Sequence, residues 1–282
     1  MALVGANVAV AKLLSEALPI AGIAFLRCLL ACLVLWPLAR LRDPLALAPG
    51  AAAHRNLALQ AVFGTAVYNA GLLAGLRRTG ALDAGLVLAT LPAVVALGAA
   101  LWLRERLPPR AWAAVALAVA GMGAITLARA DGAAAGGSAL GNALVFGGVC
   151  GEAAYVLLAR RAAGRVPVLT ASAWMQAWSA LVLLPFALPG LAAAAAALAA
   201  SPRLGALLAF HSLTASVLCV VLWYAGLRRV PAGVAGLFTG FLPMAAALVG
   251  VSLLGEPFSV QHAAGFALMG ASLLLAARTA RG

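Results

Sequence analysis

Three ionisable side chains stand inside apolar stretches of this sequence: Lys12, Arg27 and Glu152. In hydrocarbon such a residue costs about 2.5 to 3.5 kcal/mol on insertion scales, so it is expected to face a cavity or a partner. Glu152 sits in "GGVCGEAAYVLLARR", residues 147–161. A carboxyl there can bind a cationic or amino group at a cavity wall, or carry a coupling proton; the competing reading is a packed or ion-paired glutamate that holds helices together. Arg27 can meet a substrate carboxylate in fork geometry or pair with Glu152, and it can equally snorkel to the interface. Lys12 precedes Glu16 by four residues, which suits an interfacial ion pair on one helix face. Weaker polar groups complete the set: Asn7, Gln60, Tyr68, Asn69, Tyr155, Gln176, His211, Ser212, Thr214 and Ser216. Of these, Asn7, Gln60, Tyr68, Tyr155 and His211, with Trp223 as a further wall, join Arg27 and Glu152 as candidates for a substrate pathway. His211 is the second candidate for proton transfer, set against a histidine satisfied in a helix contact. Histidines 54, 211 and 262 lie on different segments, no metal-ligand spacing occurs, and GxSxG and HExxH are absent, so neither a metal, a cofactor nor catalysis is expected.

The elements that must position these groups follow from composition. Of 282 residues, 65% are hydrophobic and 9% charged, far from the balance of a soluble domain. The chain therefore reads as an all-α integral membrane protein. Apolar runs broken by Arg, Pro and Gly clusters predict ten spans, at 2–17, 20–39, 56–76, 82–103, 111–128, 140–159, 168–188, 204–226, 232–254 and 260–277. "MALVGANVAVAKLL" lacks the basic start and cleavage site of a signal peptide and reads as a short first span. The alanine-rich piece after Pro189 is too short to cross again, and reads as a helical extension or an interfacial loop. Glu152 then falls roughly 18 Å into its span, near mid-membrane, with Tyr155 on the same face. Gly147, Gly148 and Gly151 beside it offer a close-packing surface with GxxxG spacing. The four cysteines lie within apolar runs and read as packing residues.

The net charge of +12 comes from arginines scattered between spans, not from a basic stripe with aromatics, so nucleic acid is not an expected partner. With the N-terminus inside, thirteen arginines fall in inner loops and the tail and four in outer loops. That bias predicts a multi-pass protein of the inner (cytoplasmic) membrane with both termini cytoplasmic.

The sequence also repeats. Residues 75–92, "GLRRTGALDAGLVLATLP", match 226–243, "GLRRVPAGVAGLFTGFLP", at a constant offset of 151 that also carries Glu105 onto Glu256. Pro19 and "LWPLA" (35–39) echo Pro167 and "LLPFA" (183–187). The chain therefore divides into a first unit at 1–130 and a second at 138–282, each of five predicted spans. Because five is odd, the copies would be inverted, the plan of many secondary transporters, whose sites lie near the midplane between repeats. The offset of 151 pairs Gln60 with His211 and Thr65 with Ser216, which suggests polar groups at matching depths around a shared cavity. It also pairs Pro92 with Pro243, where a missing backbone bond permits a kink that could serve a gate or only packing. Glu105 and Glu256, at span ends beside loop arginines, read as topological or gate-closing charges.

"GANVAVAK" (5–12), "AFLRCLLACLVLWPLA" (24–39) with Arg27, and the duplicated "LPAVVALGAALWLRERL" and "LPMAAALVGVSLLGEPF" resemble the span motifs of EamA-type carriers in the drug/metabolite transporter superfamily. Glu152 is not part of that pattern, and Val4 stands where the family commonly has tryptophan. The resemblance implies ten helices, alternating access and traffic in small polar metabolites, most often export of amino acids or related compounds. Proton-coupled efflux of drugs or cations, and uptake of a vitamin-like solute, are the alternatives within transport. An intramembrane enzyme or a structural membrane protein is the alternative outside it. Expected partners are a small-molecule substrate and the lipid bilayer, and a homodimer is compatible with such a bundle.

Overall fold

The computed structural model describes residues 7, 10–11, 13–43, 48–79, 81–128, 138–240 and 260–279. Within them the chain is helical: α1 (Ile20–Arg42), α2 (Ala51–Leu76), α3 (Ala81–Leu88), α4 (Leu91–Trp102), α5 (Pro109–Ala128), α6 (Ala139–Ala162), α7 (Val168–Ala187), α8 (Leu191–Ala200), α9 (Pro202–Leu227), α10 (Ala232–Leu237) and α11 (Val260–Thr279). Six stretches among the described residues are long and apolar enough to cross a membrane: α1, α2, Ala84–Trp102, α6, Val168–Ala200 and α9. Lys12, Pro243 and Glu256 lie outside the described residues.

Local chemistry sets the element ends. Ser138 and Ser201 each place a side-chain oxygen on an amide of the first turn of α6 and α9, and Pro202 occupies the first turn of α9. These are positions where an N-terminal amide lacks an intrahelical partner and proline loses nothing. Pro19 and Pro167 precede α1 and α7, while Pro37 and Pro185 lie inside those same helices near their ends. Each pair is 148 residues apart, so the echo seen in sequence is matched by equivalent placements. The alanine-rich piece is helix α8, joined to α7 through the short turn Leu188–Gly190, where the Gly190 backbone approaches Pro19.

Pro92 lies in the first turn of α4, and the helix breaks immediately before it, between Leu88 and Leu91. Proline carries no N–H and its ring crowds the carbonyl four residues back, which here belongs to Leu88. The Thr90 hydroxyl takes the Val87 carbonyl at 2.7 Å, so the break leaves that group satisfied.

Glycines bring α2 and α6 into backbone contact. A Cβ on Gly71 would lie 2.7 Å from the Gly148 nitrogen and the Leu144 oxygen, and one on Gly151 would lie 3.0 Å from the Phe63 oxygen. Gly75 and Gly141 continue the seam toward Val145 and Thr79. The close-packing face of α6 is therefore Gly141, Gly148 and Gly151, spaced seven and three residues apart. Gly147, grouped with it on GxxxG spacing, faces open space, because a helix turns about 100° per residue and the seam follows the crossing line and not a single four-residue step. α5 and α11 pack against each other, with Met269 against Gly121 and the Ser272 hydroxyl on the Ala114 carbonyl at 2.7 Å, and they share a core with Ala96 of α4 and Leu237 of α10.

Candidate functional site

A cavity of about 700 Å³ lies among α1, α2, α6, α7, α9 and α10. Its polar lining comes from Arg27, Thr65, Glu152, Gln176 and Ser179, with Arg229 at one end. Tyr155, Met175, Val220, Trp223 and Phe238 give it apolar walls. The volume falls within the range of small-molecule sites, as does the pairing of an apolar wall with a few converging polar groups.

Each charged group is set by its helix. Arg27 lies seven residues into α1, roughly 10 Å along it. The Ser212 hydroxyl of α9 holds the Arg27 backbone carbonyl at 2.7 Å, which fixes that turn of α1 against α9. The Arg27 Nε is buried and has no hydrogen-bond partner among the described residues. Glu152 follows Gly151, whose missing side chain lets α6 lie on α2, and Tyr155 rests its ring on Gly64 one turn later. Glu152 and Tyr155 therefore share the cavity face. Among the described residues the one ion pair is Arg160–Glu105, so neither Glu152 nor Arg27 is neutralised by a salt bridge there. The Trp223 Nε1 lies on a wall of the same cavity, beside the Tyr155 side chain.

Of the residues singled out from sequence, Arg27, Glu152, Tyr155 and Trp223 are brought together around this cavity. Asn7, Gln60, Tyr68 and His211 are not among the lining residues, although Tyr68 lies within electrostatic reach of Glu152 and His211 within that of Arg27. The His211 Nδ1 and the Thr214 hydroxyl both lie 3.0 Å from Asn7 Oδ1, a buried cluster that joins the start of the chain to α9. Gln60 is fully buried, its amide nitrogen 2.6 Å from Asn56 Oδ1 and its carbonyl oxygen accepting the Tyr224 hydroxyl at 2.5 Å. Tyr68 is half-buried on α2, with its backbone oxygen against Gly148. Thr65, expected from the 151-residue offset to border a shared cavity, lines it, whereas two other lining residues, Gln176 and Ser179, were not foreseen as pathway groups. Gln176 and Ser179 are one turn apart on α7, a spacing that places them on one face, but serines are common in helices and nothing in the pattern set this one apart.

At the Arg228–Arg229 end of α9 a second constellation forms. The Glu105 carboxylate accepts the backbone N–H groups of Ala232 and Gly233 at 3.1 and 3.3 Å and lies 3.5 Å from Arg160 Nε. Arg160 Nη1 donates in turn to the Leu227 carbonyl at 2.9 Å. Glu105 thus caps α10 while Arg160 takes the last carbonyl of α9, matching carboxylate to helix start and cation to helix end. Arg104, just before it, has φ 53°, a left-handed conformation that turns the chain after α4 so that Glu105 points at α10.

An apolar helical bundle with six stretches long enough to cross a membrane among the described residues, around a cavity whose charges form no ion pair among those residues, is the architecture of a multi-pass membrane protein. The EamA-like transporter family model matches residues 1–127 and again 139–278, and the chain belongs to that family. It is 31% identical over 279 residues to the Uncharacterized transporter YetK of Bacillus subtilis (strain 168), an alignment covering 95% of this chain and 81% of that protein. A solved protein crystal structure shares the fold at a TM-score of 0.78 and 20% identity, covering 99% of this chain and 94% of that one.

Proposed function

We propose that this membrane transporter moves a small zwitterionic metabolite, an amino acid or a related compound, by alternating access. Export is the direction favoured by the family resemblance. The observation that carries the reading is the cavity itself, which holds a carboxylate at Glu152 and a guanidinium at Arg27 that do not neutralise each other. A buried charge without a partner is costly, so the pair is best explained by a ligand that brings both complements. Its carboxylate meets Arg27, whose Nε has no acceptor among the described residues, and its ammonium meets Glu152. The walls at Tyr155, Met175, Trp223 and Phe238 leave room for an apolar side chain.

In this reading the chain forms ten membrane helices as two inverted repeats, in the cytoplasmic membrane with both termini inside. The Glu105–Arg160 constellation joins the first half of the chain to the second at one end of the bundle. Such a contact must open when that end opens, which makes it a closure suited to alternating access. Glu152 also serves as the proton carrier if transport is proton-coupled.

Flux into and out of proteoliposomes across a panel of amino acids and organic cations tests the assignment. Arg27→Gln is expected to weaken half-saturation for zwitterions about tenfold or more, the scale of one charge-assisted pair. Glu152→Gln should do the same and abolish any dependence of flux on a pH gradient. Cation flux untouched by Arg27→Gln would replace the zwitterion with a cation, and no flux of any solute by folded protein would remove the reading altogether.

A further inference from the structure

Two stretches of helix wind differently from the rest. In α2 the segment Val62–Val67 is π-helical, and in α9 so is Ser212–Leu218, each N–H reaching toward the carbonyl five residues back. Such turns are rare and gather at functional sites. The 151-residue correspondence carries 62–67 onto 213–218, so the two π turns stand at the same place in the two halves. Both border the cavity, through Gly64 and Thr65 on one side and Ala215 on the other.

A π turn leaves a backbone carbonyl short of its helical partner where normal winding resumes. In both halves a side-chain amide donates to the carbonyl of an equivalent residue, in α2 beside the Tyr68 N–H that already reaches the Thr65 carbonyl. Asn69 Nδ2 donates to the Thr65 oxygen at 2.6 Å, and Gln176 Nε2 donates to the Ser216 oxygen at 2.6 Å. Thr65 and Ser216 are themselves 151 residues apart. One turn of α7 reaches both segments, because Gln176 holds the Ser216 carbonyl while the Ser179 hydroxyl lies 3.3 Å from the Thr65 hydroxyl.

We infer that the two π turns are a matched pair of hinges, and that the Gln176–Ser179 turn of α7 is the clasp that holds both in the conformation described here. When the carrier changes state, α9 rewinds toward α-helical bonding at 212–218, the Ser216 carbonyl finds its partner within the helix, and Gln176 is released. The matching change in α2 frees Thr65 from Ser179. At α9 the transition exchanges one hydrogen bond for another, and at α2 the contact released joins two hydroxyls while the Thr65 carbonyl keeps Asn69 and Tyr68, so backbone groups deep in the bundle stay satisfied on both sides of it. The inference rests on the alternating-access reading.

The test is double electron–electron resonance on the full chain in lipid nanodiscs, with Cys28, Cys32, Cys150 and Cys219 replaced by alanine. One label pair, Arg78→Cys with Arg203→Cys, reports one end of α2 and α9, and Arg55→Cys with Arg228→Cys reports the other. Wild type should show two distance populations at each end, changing in opposite senses. Gln176→Leu should deplete the population that matches this structure about fivefold or more, and Ser179→Ala about two- to tenfold, the range for one lost hydrogen bond. Asn69→Leu, on an exposed position, should act in the same direction and keeps the test open if Gln176→Leu fails to fold. Two populations in wild type that none of the folded variants shifts would overturn the hinge and leave rigid-body alternating access standing. A single fixed population at both ends, unchanged by any solute that the proteoliposomes transport, would overturn both.

Discussion

Removing the Glu105 carboxylate tests the best-defined polar constellation outside the cavity. The side chain makes two bonds to the first amides of α10 and a 3.5 Å contact to Arg160, whose side chain is 29% exposed against 17% for Glu105. Loss of a helix cap costs about 0.5 to 2 kcal/mol. The ion pair, discounted for its access to solvent, adds at most about 1 kcal/mol. Glu105→Ala should therefore destabilise the protein by about 0.5 to 3 kcal/mol, which for a domain of this size lowers the melting midpoint by roughly 1 to 12 °C. Glu105→Gln keeps an oxygen for the α10 amides and loses the charge, so it should show about half the effect. With Cys32 and the exposed Cys150 replaced by alanine, a thiol-reactive dye gives the midpoint, because Cys28 and Cys219 are buried and react as the bundle opens. Arg160→Leu alone and combined with Glu105→Ala closes a double-mutant cycle, in which a coupling of about 0.5 kcal/mol or more is expected. An unchanged midpoint for Glu105→Ala would refute the capping argument, and zero coupling would refute the pair.

Three further substitutions probe separate parts of the fold. Gly71→Ala places a Cβ 2.7 Å from backbone atoms of α6 and should cost about 1 to 3 kcal/mol in the same melting assay, whereas Gly147→Ala, facing open space, should change nothing measurable. Gln60→Leu strands the Tyr224 hydroxyl, and a loss of about 1 to 3 kcal/mol is expected with the order of preference among transported solutes unchanged, since Gln60 does not line the cavity; a switch in that order would contradict its placement. Arg104→Gly relieves a left-handed residue and should raise the midpoint slightly, by about 1 kcal/mol of stability, and a fall would mean that the arginine side chain matters more than its backbone.

The parts of this molecule that sequence made legible are those governed by one-dimensional patterns. Hydropathy located α1 and α6 to within three residues at every end, because a bilayer imposes length and apolarity on any helix that crosses it. Pro92 marked a break for a reason local to its own ring. What stayed hidden depends on which face of a helix meets which neighbour. Gly147 and Gly148 are equivalent in any pattern, yet only Gly148 meets α2. His211 and Gln60 stand out as buried polar residues at matched registers, but the partners that occupy them, Asn7 and Tyr224, lie 204 and 164 residues away. The π turns leave no compositional mark, since one displaced backbone bond needs no particular residue type.

Those matched residues show what a duplication preserves and what it leaves free. Gln60, from the first half, is held by Tyr224 of the second, and His211, from the second, by Asn7 of the first. Equivalent positions therefore peg one part of the chain to the other. The cavity follows the opposite rule. The 148-residue correspondence carries Arg27 onto Met175 and Cys28 onto Gln176, and all four line the cavity, yet the guanidinium occurs on one side alone. Glu152 corresponds to Val4, so the carboxylate too is unmatched. A frame built from two similar halves would by itself present similar surfaces to a ligand from both sides. Placing a cation at Arg27 and an anion at Glu152, positions whose counterparts are Met175 and Val4, breaks that likeness in the way that a ligand with two unlike ends would exploit.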